Sequence, residues 1–164
     1  MTKFLAWPGH SFLALPIRLY LGVVFLFACV HKILEPSNFA VDIATYQILP
    51  LSFINIMAIV LPWLELIAGI MLVIGLRSRT GALLVAGMMA MFTVAVAIAV
   101  IRGLDMSCGC FASQGAVDDP ISWSTVARDA GWLALALYVW IFDRSSLGID
   151  RLLTWRLTRT THGT

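Results

Sequence analysis

Two of the chain's three cysteines stand one residue apart, in Asp105-Met106-Ser107-Cys108-Gly109-Cys110-Phe111. A disulfide between them requires the backbone to bend, because an extended chain sets their Cα atoms near or beyond the roughly 6.8 Å limit for a bridge. Gly109 permits that bend. A ring so small is strained, and strained or exposed disulfides are the oxidising, labile ones that exchange with partners. Cys108 and Cys110 are therefore candidate catalytic residues for thiol-disulfide exchange. The plain alternative is a bridge that only ties down its loop.

Cys29 is the third candidate, able to take over a bond from Cys108 or Cys110 if the loop folds back over the helix that carries it. His31 and Lys32 beside it would favour a thiolate. Read plainly, Cys29 is a small apolar helix residue, and His31 and Lys32 are interfacial anchors. Three cysteines with a histidine also raise copper(I) or zinc binding. With no second cysteine pair and no histidine at finger-like spacing, no metal is expected.

Charged residues inside apolar runs form a second group. Glu65 falls mid-run, where an ionisable side chain is costly unless paired or functional. Arg18 is its expected partner, in a charge pair read as structural. Arg128 and Asp129 are neighbours in sequence, so they point to different helix faces, and each is expected to need its own partner or water.

The elements that must position these residues follow from composition. The 164 residues are 60% hydrophobic and 12% charged, with mean hydropathy +0.92. A soluble monomer of that make-up would expose far too much apolar surface. Four apolar runs approach the length needed to cross roughly 30 Å of hydrocarbon. The expected architecture is an all-α membrane protein, one integral domain over 1–164, with spans near 12–31, 53–76, 80–102 and 121–142 in an antiparallel four-helix bundle. A short interfacial helix is expected after the first span, within residues 32–50, with Pro36 in its first turn. From Asp143 onward, arginines interleaved with leucines suggest an amphipathic basic tail.

The fourth span is expected to begin inside protein or at the interface, because of Arg128 and Asp129. Gly81 and Gly87, flanking Ala86, suggest close backbone approach along the third. Residues 26–29 loosely resemble a lipoprotein cleavage box. The run before them is long for a signal peptide and contains Arg18, so it reads as a retained first helix.

Short loops rich in Lys and Arg stay cytoplasmic. The turn with Arg77 and Arg79, the basic tail and the N-terminus with Lys3 then share the cytoplasmic side. The loop with Cys108 and Cys110 faces outward, into a compartment that is oxidising in bacteria. No basic run interleaves with aromatics on a soluble face, so nucleic acid is not an expected partner.

An ordered set of residues carries a resemblance. It runs Arg18-x-x-Leu21-Gly22, Lys32 with Pro36, Tyr46 with Leu49-Pro50, Leu61-Pro62 with Glu65 and Gly69, Gly75-Leu76 with Arg79, Cys108-Gly109-Cys110-Phe111, and Trp123 to Arg128. Over about residues 18–142 the chain resembles the MauE branch of the DoxX-like membrane proteins. Ala112 departs from the glycine expected after the Cys-Gly-Cys-Phe element.

The resemblance implies a four-helix bundle in the bacterial inner membrane, linked to methylamine utilisation. It further implies a role in maturing a disulfide-rich periplasmic protein beside a thioredoxin-like partner, and wider relatives imply a quinone. A quinone would need an apolar pocket with few polar groups, for which His31, Lys32 and Tyr46 are the candidate lining. The expected function is a membrane thiol-disulfide oxidoreductase, possessing a quinone link if that cofactor binds. The rival is a non-enzymatic assembly or scaffold subunit.

Overall fold

The computed structural model describes residues 9–104, 106 and 121–143. Over these the chain is helical: α1 Gly9–Leu34, α2 Pro36–Thr45, α3 Leu51–Ile74, α4 Ser78–Ile101 and α5 Trp123–Phe142. Four of the five, all but α2, are long and apolar enough to cross a membrane. The protein is therefore an all-α, multi-pass membrane protein built as a four-helix bundle. Phe12, Phe27, Leu51 and Ile101 are more than two-thirds exposed on its outside, where hydrocarbon replaces water as solvent. The Cys108-Gly109-Cys110 element and the basic tail lie outside the described residues.

Around the bundle, α1 packs on α3 and α5, and α4 packs on α5 and α3. The seam between α1 and α3 is set by glycine. A Cβ on Gly22 would lie 2.7 Å from Val73 and 3.1 Å from the Gly69 carbonyl, and one on Gly69 would meet Leu26 at 3.0 Å. Small residues at such a crossing let two backbones approach, which is the main source of cohesion between helices in lipid. On α4, Gly81 serves this purpose against Met71 at 3.1 Å, whereas Gly87 has nothing within 4 Å. The expectation of close approach at Gly87 is thus corrected, because that residue faces outward.

α3 ends where Gly75 adopts φ 70°, and Arg77 follows at φ 45°. Two left-handed residues in three reverse the chain. The connection is Gly75-Leu76-Arg77 rather than Arg77-Ser78-Arg79, and Ser78 and Arg79 already belong to α4. Arg79 reaches the other hairpin, donating to the carbonyls of Trp140 at 3.2 Å and Ile141 at 3.3 Å. A cation at these C-terminal carbonyls complements the end of α5.

α1 does not run the full height of α3. Lys32, two residues before the end of α1, meets Glu65, which lies 14 residues into α3 (65 minus 51), or about 21 Å along it at 1.5 Å per residue. α2 starts with Pro36 in its first turn and fills the remaining height by packing on α3. It dips into the bundle, with Phe39 buried.

The two ends differ. At one, Arg102 donates to the carbonyl of Gln47 at 3.3 Å, and Tyr46, Val96 and Ala99 form a small core packed by Leu104, Met106, Ile121 and Val126. The Ile121 N–H donates to the Met106 carbonyl at 3.0 Å, so the two ends of the segment bearing Cys108 and Cys110 are joined there. The other end carries the turn at Arg77 and the close of α5.

Candidate functional site

The interior of the bundle holds more charge than its apolar sequence suggests. Lys32 Nζ donates to both oxygens of Glu65, at 2.9 and 3.1 Å, and both side chains are more than nine-tenths buried. Lys32 also lies 5.0 Å from the Phe39 ring centre, a cation–π contact strengthened by desolvation. Arg18 pairs at 3.4 Å with Asp143, and both are buried.

The expected pairing of Arg18 with Glu65 is therefore corrected. The register of α1 on α3 explains why. Arg18 lies 14 residues before Lys32, about 21 Å down the helix, so Glu65 is beyond its reach. It meets instead the residue that closes α5. The same end is tied by His10, whose Nδ1 is 2.8 Å from the Tyr138 hydroxyl and whose ring stacks on Phe142 at 4.3 Å.

Arg128 and Asp129 depart from expectation as well. The Arg128 side chain folds round the helix and places its Nε 3.3 Å from Asp129 Oδ1, a reach that its length allows despite adjacency. Asp129 is fully buried, and its Oδ2 has no hydrogen-bond partner among the described residues. Ser122 and Thr125 close a capping box at the start of α5, which fixes that turn of helix. α5 thus enters the bundle carrying a buried carboxylate, as expected for a span that begins inside protein.

Two cavities adjoin here, and the smaller reaches the charged centre. The smaller, about 50 Å³, is walled by Phe25, Lys32, Glu65, Met88, Asp129 and Trp132 among others. The larger, about 490 Å³, lies between α2, α3 and α4 and is almost wholly apolar, with Asp42 and Tyr46 as its polar groups. Phe39, Leu61 and Phe92 line both. Burial raises the Tyr46 phenol well above its ordinary pKa, and the carboxylates of Asp129 and Asp42 add to this. It therefore lines the chamber as a neutral hydroxyl.

Of the three residues expected to line a quinone pocket, Tyr46 lines the chamber and Lys32 lines the recess. His31 lines neither. Sequence reading missed Asp143 as the partner of Arg18 and the aromatic wall of Phe39, Phe92 and Trp132. The span count already puts Arg18 and Asp143 at the same end, and that signal was sufficient to pair them.

Cys29 is fully buried on α1, and its thiol donates to the Leu26 carbonyl at 3.2 Å. It lines neither cavity. Its neighbours Ala28 and Lys32 share the recess with Phe92, which is nine residues, about 13 Å, from the end of α4 at Ile101. Among the described residues, no group of three or more His, Cys, Asp or Glu side chains is placed to hold a metal.

The sequence model of the family described as "Methylamine utilisation protein MauE" matches residues 10–142, from the first turn of α1 to the last residue of α5. The chain belongs to the MauE family. It is 30% identical over 124 residues to methylamine utilization protein MauE of Paracoccus denitrificans, covering 75% of this chain and 66% of that one. It is 33% identical over 123 residues to the protein of that name in Methylorubrum extorquens, covering 74% and 64%. For Paracoccus versutus the values are 32% over 122 residues, 74% and 64%. The chain thus spans just under two thirds of the length of these MauE relatives. No solved structure matches it significantly.

Proposed function

We propose that this MauE-family protein is a membrane thiol-disulfide oxidoreductase that acts through Cys108 and Cys110 on a periplasmic protein. The observation that carries the reading is the pair itself, one residue apart in a segment whose ends are joined at Met106 and Ile121. The exchange balances without a further reagent. A partner thiolate attacks one sulfur of the Cys108–Cys110 bond, forming a mixed disulfide and releasing the other sulfur as a thiolate. The partner's second thiolate then attacks the partner sulfur of the mixed disulfide and releases the Cys108 or Cys110 sulfur, leaving the partner oxidised and Cys108 and Cys110 as a dithiol.

The relatives' names supply the setting, methylamine utilisation, in which the partner is a thioredoxin-like protein or a disulfide-rich substrate. We place the protein in the bacterial inner membrane, with its termini cytoplasmic and the cysteine segment periplasmic. The chamber suits a quinone in size and apolarity. Phe39, Tyr46 and Phe92 would hold it, and when bound it would supply an acceptor for two electrons and two protons.

The burial of Cys29 favours a narrower division of labour than a three-cysteine relay, with Cys108 and Cys110 sufficient for exchange. It also favours the rival reading of an assembly subunit, in which cysteines are dispensable. The variant Cys108→Ser separates the two. It is expected to trap a mixed disulfide between Cys110 and a thioredoxin-like protein, visible on a non-reducing gel and lost on reduction. Full maturation activity in the Cys108→Ser/Cys110→Ser double variant would rule the oxidoreductase out.

A further inference from the structure

The recess between α1, α3, α4 and α5 contains a charge that the protein alone leaves incomplete. Asp129 Oδ1 takes the Arg128 guanidinium, but Oδ2, fully buried, meets no donor among the described residues. Trp132, on the same wall, gives its indole N–H to the Tyr20 hydroxyl at 3.2 Å. The phenylalanine and methionine walls have no N–H or O–H to offer. Lys32 Nζ points two hydrogen bonds at Glu65, and an ammonium carries three N–H donors.

A buried oxygen in this position is satisfied by solvent when there is room for it. A water needs about 10–15 Å³ and two to four polar partners. The recess offers about 50 Å³, and Asp129, Lys32 and Glu65 all line it. We infer that the recess is a hydrated site in which bound water joins Asp129 to the Lys32–Glu65 pair. Such water gives Asp129 Oδ2 the donor it lacks, which the apolar chamber beyond Phe39, Leu61 and Phe92 does not offer. The site goes beyond the thiol reading and stands without it.

Radiolytic hydroxyl-radical footprinting of the purified full-length protein tests this, because radicals generated from bound water oxidise the side chains next to it. Met88 lines the recess and is 9% exposed, whereas Met71 lines neither cavity and is the more exposed. Met88 is expected to oxidise at least fivefold faster than Met71, and to fall to or below the Met71 rate in Asp129→Leu. The wild-type comparison decides the matter even if that variant does not fold. Slower oxidation of Met88 than of Met71, or a Met88 rate unchanged in a folded Asp129→Leu protein, would overturn the site.

Discussion

Lys32 and Glu65 show how a membrane interior tolerates charge. Each is buried, each is the other's hydrogen-bond partner, and removal of one leaves the other without its opposite charge inside the bundle. Lys32→Met is therefore expected to destabilise the protein by about 3–5 kcal/mol, and the double variant Lys32→Met/Glu65→Leu to regain most of that loss. Thermal melting of the three proteins in one detergent measures both effects. A double variant less stable than Lys32→Met, its loss the sum of two separate ones, would mean that the side chains act independently. Cys29 behaves differently at the same depth, since its thiol is satisfied by Leu26 and packed like an apolar group. Cys29→Ala is accordingly expected to retain disulfide exchange within about twofold, on a scale where tenfold is about 1.4 kcal/mol. An insulin-reduction or partner-oxidation assay checks it.

The elements divide into those whose residues announce them and one whose depth is set by its neighbours. Four apolar runs and a Pro36-initiated short helix are readable from hydropathy and turn residues, because bilayer thickness dictates their length. The partners of the buried charges are not readable in this way. They depend on α1 being offset along α3, and that offset comes from the fit of Gly22 against Val73 and Gly69. Gly22→Leu is expected to cost at least about 1–3 kcal/mol through overpacking, while Gly87→Leu, outward-facing, stays within about 0.5 kcal/mol. Chemical or thermal unfolding of the two variants distinguishes them.

On α2, burial raises the Asp42 carboxyl above its usual range, against the opposing pull of His31 and Lys32. The folded protein thus holds this proton at pH values where the unfolded chain has lost it. The resulting stability is complete below the unfolded pKa and is lost as pH rises through the folded one. Asp42→Asn should consequently lose less stability than wild type as pH rises from the ordinary carboxylate range toward neutrality. Parallel melting curves at every pH would contradict this.

At the scale of the whole molecule, the bundle has two unlike ends with a charged, cavity-bearing centre between them. One end is closed by the Arg79 contacts to α5 and the Arg18–Asp143 pair. The other gathers α2, Arg102 and the joined ends of the cysteine segment. The candidate site is legible in the sequence as cysteines in a polar loop, but its relation to Cys29 is not, because the end of α1 lies midway along α3 rather than at a membrane surface. Among the described residues, α2 packs above it on α3.

The most direct test of the central claim is thiol labelling of intact cells with a membrane-impermeant maleimide, before and after mild reduction. The proposed function predicts no labelling at first, then labelling of Cys108 and Cys110 from outside once their bond is reduced, with Cys29 protected throughout. Labelling of Cys108 and Cys110 without reductant, or only after the membrane is permeabilised, would contradict it.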